Sequence, residues 1–584
     1  MTTVERAPRA EPSSTAAVLA RLQAIDRRRL VTALHWATLV AAFGFLVYAT
    51  RDQWFDSDEW NFLARRRLVG SDEFAGIWEA HNRHWVTLPV LLYRFLFSVF
   101  GVSTYAPYLV VLLVLHLGVA HLLWRLMLRF HVDDVLATVA AAIYALAGAG
   151  WENVTNGFQI SLVGSLFFGL AAVLVVHDRD LSRRQYAFVW ILLLASLMCS
   201  GIGVTLVAVV VVIVLLRGGI RPALIVGSVP TAAYLLWYAL QGQHAPASAG
   251  EQPLSTALQA TPAFLWRGLT SAVDAQTRFE GVGAVVVVLL VVWILRHTNL
   301  SDSAWRDSTV LALGAALSLC LTALGRSGLG TDNATAPRYA YVTLALLVPL
   351  VALALDRLLG TGAVRAVVIV LGVGFLAVAA GATVVSNANA AGIREQEQER
   401  RVLAAAELTR RDPQFLETIV VPIYMPDLDI DAIRRLDDEG KLPGDVRLTE
   451  EDILTARVFL QLRVAEGELS VAPALRGEAR VVSAEGASAT PEPGEPGCAR
   501  VVPESDNPSV VLDFDRPGTA TIRTERSGSI AARVEDDRGA TSRPRTFPTA
   551  SNQTQRVEFS GSGNLLRLEV PAVGTTSICR LSDA

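Results

Sequence analysis

LVTALHWATLVAAFGFLVYAT, residues 30–50, contains no charged side chain, and RDQWFDSDEW, residues 51–60, follows it at once with three acids packed into its last five positions. A run of about 20 apolar residues is what a helix needs to cross a bilayer core. The acids of DSDEW therefore sit at a membrane surface, where they must be solvated, ligated or put to use. The first 29 residues are rich in Arg and Ala, and no small-residue cleavage site follows the apolar run. Residues 30–50 are expected to be a retained helix behind a cytoplasmic tail, residues 1–29.

The rest of the chain has the same character. Of 584 residues, 52% are hydrophobic, too many for a soluble domain with a single anchor. A net charge of −4 argues against a nucleic-acid binder. Apolar segments recur near residues 30–50, 105–128, 135–148, 159–177, 186–200, 204–216, 222–240, 281–295, 308–325, 339–355 and 366–386, giving about eleven spans. Residues 86–101 are interrupted by Pro89 and Arg94 and are placed as a surface or re-entrant helix. With the N-terminus in the cytoplasm, each short cytoplasmic connection holds two or more arginines, among them Arg125/Arg129, Arg179/Arg183/Arg184, Arg217/Arg221, Arg296/Arg306 and Arg357/Arg365. The long or acidic loops 51–85, 151–158, 241–280 and 326–338 then lie outside, as does everything after residue 386. The transmembrane domain is read as residues 30–386.

Beyond it, residues 387–482 read as a mixed α/β region, with a polar helix over 393–411, a strand over 418–424, and helical patches near 430–436 and 450–463. A Pro/Gly/Ser/Glu-rich stretch, 483–497, is expected to be a linker. Alternating runs such as 519–524 and 565–570 make 498–584 a small β-sandwich module. Cys498 and Cys579 bracket it, and in an oxidising compartment they are expected to pair, leaving Cys199 and Cys320 in apolar segments as free thiols.

Three outer loops carry the candidate chemistry. The first holds Asp56, Asp58, Glu59, Asp72, Glu73 and Glu79, and closes in HNRHW with His81 and His84. Transfer of a sugar from a lipid phosphate needs a base for the acceptor hydroxyl and cations for the leaving phosphate. A carboxylate withdrawn from water holds a proton more tightly, which suits it to be that base. Asp58 is preferred over Asp56 and Glu59: if the stretch is helical, Asp58 shares a face with Phe62 and with Trp54. The second cluster is GRSGLGTDNATAPRYAY, residues 325–341, with Arg326 and Arg338 at its ends, able to take phosphate in bidentate fashion. The third is WENVTNGFQ, residues 151–159, where Trp151, Glu152 and Gln159 offer an aromatic face and hydrogen-bonding groups that suit a sugar. The acids and the His81/His84 pair offer ligands to a divalent metal ion, although their spacing matches no specific ligand pattern. His116 and His121, in the second span, are expected to pair within the bundle.

These residues resemble motifs of the GT-C superfamily of polytopic glycosyltransferases, in particular its large bacterial membrane proteins. The resemblance rests on DSDEW after the first helix, HNRHWVTLP (residues 81–89) leading into a surface helix, and APRYAY (residues 336–341) in a late outer loop, and it covers roughly the first 390 residues. It implies an inverting transferase that uses a polyprenyl-phosphate sugar at the outer face of the plasma (inner) membrane, with a cell-envelope glycan, lipid or protein as acceptor. By position it implies Asp58, or failing it Asp56 or Glu59, as the base, and Arg338 with Tyr339 beside it at the donor phosphate. Two other classes fit less well. A lipid-linked saccharide transporter would show charged or broken helices at the midplane, in repeated halves. A non-catalytic envelope-assembly protein would bind a wall polymer through its β-module.

Overall fold

The computed structural model describes residues 27–66, 76–146, 148–176, 181–246, 250–296, 302–360, 363–422, 424–444, 446–466, 477–514, 516–561 and 565–579. Asp72, Glu73, Arg179 and residues 1–26 of the expected tail lie outside them. The chain divides into two units, both discontinuous: 1–51, 78–89 and 109–389 make the first, and 52–77, 90–108 and 390–584 the second.

The first unit is helical. Its elements include α1 (Arg27–Ala49), α2 (Thr87–Phe100, shared with the second unit), α3 (Ala106–Arg129), α4 (Asp134–Ala145), α5 (Ile160–Val175), α6 (Arg183–Leu197), α7 (Ile202–Gly218), α8 (Ile220–Leu240), α9 (Leu254–Thr277), α10 (Val282–Arg296), α11 (Ser303–Arg326), α12 (Pro337–Leu359) and the start of α13 (Ala363–Arg411). Among the described residues seven helices are long and apolar enough to cross a membrane, so the chain is a polytopic membrane protein by length and composition. Thr87–Phe100, Asp134–Ala145, Ile202–Gly218 and Val282–Arg296 are apolar but shorter. At 1.5 Å per residue, α2 is only about 21 Å long, less than a hydrocarbon core of about 30 Å. The stretch 241–280, expected to be a loop, contains the 24-residue α9. Its hydrophobic residues are spaced among polar ones, and Phe264 packs with Leu319, Ala323 and Ala334. Window averages conceal such a helix. Arg217 and Asp307 form a buried ion pair between α7 and α11.

In the second unit, α13 continues to Arg411 as one helix where a separate one was expected at 393. Two short helices follow, α14 (Ile430–Asp438) and α15 (Glu450–Leu460), near the anticipated patches. The described residues of 418–424 make no strand; Ile419 only bridges Asp429. The remainder is sheet. Eleven strands form one hydrogen-bonded network, with Gly477–Glu485 pairing antiparallel with Ser509–Phe514 and, at its start, parallel with Gly518–Thr524. Alternation builds the core: in Gly528–Glu535, Ile530, Ala532 and Val534 point inward. They join Leu512, Ile522, Leu566 and Phe559, and Leu454 and Val458 of α15 pack into the same cluster.

That arrangement corrects the boundary at 483–497. Gly477–Glu485 and Ala487–Pro491 are strands of this sheet, with Gly486 at φ 60° between them, and only the Pro/Gly turn before Cys498 lies outside a strand. The strand Leu462–Glu466 also pairs with Thr554–Phe559. The sheet region therefore begins well before residue 498. Cys498 and Cys579 face each other on paired strands and are joined by a disulfide, while Cys199 and Cys320 are free.

Candidate functional site

The acidic motif belongs to the second unit, and its backbone decides which acid goes where. Ser57 has φ 45°, a conformation that costs a non-glycine residue energy, so no helix runs through it. A short helical turn begins only at Asp58 and continues as a π-helix over Asn61–Arg65. The reversal at Ser57 sends Asp56 and Glu59 inward and leaves Asp58 exposed.

Glu59 is sealed, with no exposed surface. Tyr93 Oη donates to its Oε1 at 2.5 Å, Tyr105 Oη lies 2.9 Å from both carboxyl oxygens, and the Asp56 N–H donates to Oε2 at 3.0 Å. Burial outweighs these donors and pushes its pKa up to about 8. Asp56 is also buried, at 7% exposure, but it is held more loosely. Ser57 Oγ donates to it at 3.0 Å, and Arg394 Nη2 stands 3.8 Å away. Desolvation raises its pKa against those lowering contacts. Beside it lies Gln398, 2% exposed, whose amide oxygen and nitrogen both lack a hydrogen-bond partner of normal geometry. Glu395, also buried, accepts the Trp54 N–H at 2.9 Å.

The case for Asp58 rested on withdrawal from water, and the fold gives that withdrawal to Asp56 and Glu59. Between these, Glu59 has its oxygens occupied and no surface, whereas Asp56 lies near the Gln398 amide and a half-exposed guanidinium.

In the first unit, the loop 151–159 and the start of α12 come together. Arg338 Nη1 contacts Glu152 Oε1 at 2.8 Å, and its guanidinium lies over the Tyr339 ring at 5.2 Å. Gln159 Nε2 also reaches Glu152 Oε1, at 3.3 Å, and Asn153 Nδ2 donates to Gln159 Oε1. Trp151 is half-buried and packs against a cluster that includes Leu46, Leu113, Val154 and Val384. His81 is buried against Phe158, with ring centroids 5.1 Å apart, and hydrogen-bonds Asn82.

His84 pairs with His81 across a two-residue ladder. Its side chain reaches solvent yet lies deep among protein atoms; desolvation, then the positive charges of His81 and Arg326, push its imidazole well below the usual histidine range. Gly201 is required beside it, since a Cβ there would stand 2.4 Å from His84 Nδ1. Arg326 is half-buried, and among the described residues its guanidinium makes no ion pair or hydrogen bond. Arg83, in the turn that joins the two strands, pairs with Glu251 at 2.8 Å. Next to it Trp85 stacks on Trp237 at 5.4 Å and 3°, and Trp237 Nε1 donates to the carbonyl of Trp78, whose own ring is exposed.

Arg338 is thus paired with Glu152, whereas the Arg326 guanidinium has no ion-pair partner among the described residues. Tyr93, Tyr105, Arg394, Gln398, Glu251 and Trp78 were not anticipated. The two tyrosines stand in the aromatic stretches YRFLF (residues 93–97) and YAPY (residues 105–108), which do not specify a carboxylate partner. As expected, His116 is paired within the bundle, to Tyr341 Oη and the Ala145 carbonyl, both at 2.9 Å. Among the described residues the one group able to hold a metal ion is Glu495, Cys498 and Cys579, whose cysteines are in the disulfide, and it includes neither His81, His84 nor a described acid of the first loop. Comparison with protein-family models, curated proteins and solved structures finds no match to this chain.

Proposed function

We propose that the protein is an inverting membrane glycosyltransferase of GT-C type, moving a sugar from a polyprenyl-phosphate donor to a cell-envelope glycan, lipid or protein on the outer face of the plasma membrane. In this reading the N-terminus is cytoplasmic and the C-terminal sheet region, a β-sandwich, is outside. The observation that carries it is Asp56: a buried carboxylate with raised proton affinity, just past the first long apolar helix, beside the buried amide of Gln398. Polytopic architecture adds support, as does Arg326, which makes no ion pair or hydrogen bond among the described residues.

Asp56 takes the proton of the acceptor hydroxyl as its oxygen attacks C1 of the sugar. The C1–O bond to phosphate breaks, and polyprenyl phosphate leaves with the bonding electron pair and one more negative charge. In the first unit, Arg326 is the residue we assign to the donor phosphate, since a cation without a counter-ion gains most from an arriving phosphate. Glu59 is a positioning residue: bound by Tyr93 and Tyr105, it accepts the Asp56 N–H and fixes the backbone from which Asp56 projects.

The test is to incubate the purified protein with a panel of polyprenyl-phosphate sugars and envelope acceptors and to measure release of polyprenyl phosphate. Release that depends on acceptor and on Asp56 supports the reading; a panel from which nothing is released overturns it.

A further inference from the structure

A cavity of about 590 Å³ opens at the N-terminal end of α1, lined by residues of α1, α3 and the start of α4. Its charge is one-sided. Among the described residues Arg28, Arg125 and Arg129 line it, with Asp134 as the one acid. That acid is already neutralised, because Arg27, outside the lining, contacts Asp133 and Asp134 at 2.9 Å each. Arg129 donates to the Leu174 carbonyl at 3.1 Å. Arg125 is exposed and makes no ion pair or hydrogen bond among the described residues.

The wall behind the arginines is aromatic and fixed. His35, fully buried, stacks on Trp124 at 4.2 Å and 7°, and Trp36 stacks on His121 at 4.9 Å. Trp124 Nε1 donates to Thr138 Oγ1 at 3.1 Å. His35 Nε2 and His121 Nδ1 share a hydrogen bond of 3.1 Å. His35 Nδ1 is buried without a partner. A bare ring nitrogen costs less in such a place than an N–H, so the proton of His35 sits on Nε2 and is donated to His121. His121 then carries its own proton on Nε2, and the lining gains another donor.

The cavity also continues into an apolar stripe. Trp36 is 52% exposed, and Val40 and Val47 follow it on the same face of α1, at 71% and 38%. A water-soluble anion would use the arginines and have no use for that stripe, whereas a lipid would use both. Basic pockets at helix ends are suited to anionic headgroups.

We propose that this cavity binds the phosphate of an anionic membrane phospholipid, with an acyl chain lying along Trp36, Val40 and Val47. The site is independent of the glycosyl-transfer reading. It is tested by titrating the purified full-length protein in detergent with tail-labelled phosphatidylglycerol, phosphatidylcholine as control, and glycerol 3-phosphate as soluble competitor. Phosphatidylglycerol is expected to bind at least about tenfold more tightly than phosphatidylcholine. Each lost arginine is expected to weaken it roughly fivefold, and Arg28→Gln with Arg125→Gln roughly thirtyfold. Arg125→Lys keeps the charge and should stay close to wild type, which separates charge from folding. Equal binding of the two lipids, or unchanged affinity in Arg125→Gln, overturns the site. Displacement by glycerol 3-phosphate at the concentrations at which the lipid itself binds would overturn the lipid as ligand.

Discussion

The phenol of Tyr105 bridges the carboxylate of Glu59, its oxygen 2.9 Å from both Oε1 and Oε2. Tyr105 can donate only one proton, so the two distances describe one shared donor, and Tyr93 supplies the second. A carboxyl enclosed in this way is a structural centre for the acidic loop.

Its titration gives the first prediction. The folded pKa of Glu59, about 8, lies above the ordinary glutamate value of 4.5. Between these values the folded state holds a proton that the unfolded state has released, so stability falls as pH rises through that window. Unfolding of the wild type is expected to become easier from pH 5.5 to pH 8. In Glu59→Gln that slope should flatten, as measured by thermal midpoints across the range. An unchanged slope would mean that Glu59 is not the group responsible.

The three acids should separate kinetically. Asp56→Asn removes the proton acceptor and is expected to lower turnover by about 10²–10⁴-fold while leaving donor affinity intact. Asp58→Asn should stay within a few-fold of wild type. Release of polyprenyl phosphate is the readout. A dead Asp58→Asn beside an active Asp56→Asn would return the base to Asp58.

For the arginines, the expected outcomes differ in kind. Arg326→Ala should weaken donor binding by roughly ten- to a hundredfold, the worth of one charge-assisted contact. Arg338→Ala leaves Glu152 without its ion-pair partner, so its main effect should be on the unfolding midpoint. Glu152→Gln combined with Arg338→Ala should restore part of that loss. Donor affinity that follows Arg338 and ignores Arg326 would contradict the assignment of the donor phosphate to Arg326.

The disulfide closes a loop with a sequence separation of 81. The loop-entropy model gives about 4–5 kcal/mol for a loop of this size. Cys498→Ser with Cys579→Ser should lower the stability of the sheet region by up to that amount, read from denaturant midpoints. The bond also reports on compartment. A cytoplasm-only reporter fused after residue 579 should be silent, and a strong signal would place the C-terminal region inside.

Much of the architecture could be read from composition. Apolar run length located most of the long helices, and alternation located strands such as Gly518–Thr524 and Leu565–Glu569. The linker over 483–497 was misread because Gly486 and the prolines dominate its composition, although the residues between them alternate and pair. Asp58 was preferred on α-helical spacing to Phe62. One positive φ at Ser57 and the π-turn that follows break that spacing, and no residue type announces either. The ion pair of Arg338 was equally hidden, because Glu152 lies 186 residues away in sequence.

The bond from the Trp54 N–H to Glu395 spans 341 residues. At about 5–20 residues per second, the ribosome takes on the order of 20–70 s to make the intervening chain. For all that time Trp54, Asp56 and Glu59 are out of the ribosome while Arg394, Glu395 and Gln398 do not yet exist. The acidic loop can therefore mature only after nearly every apolar helix has been made. A nonsense codon anywhere before residue 390 would remove the partners of the acidic loop along with the sheet region.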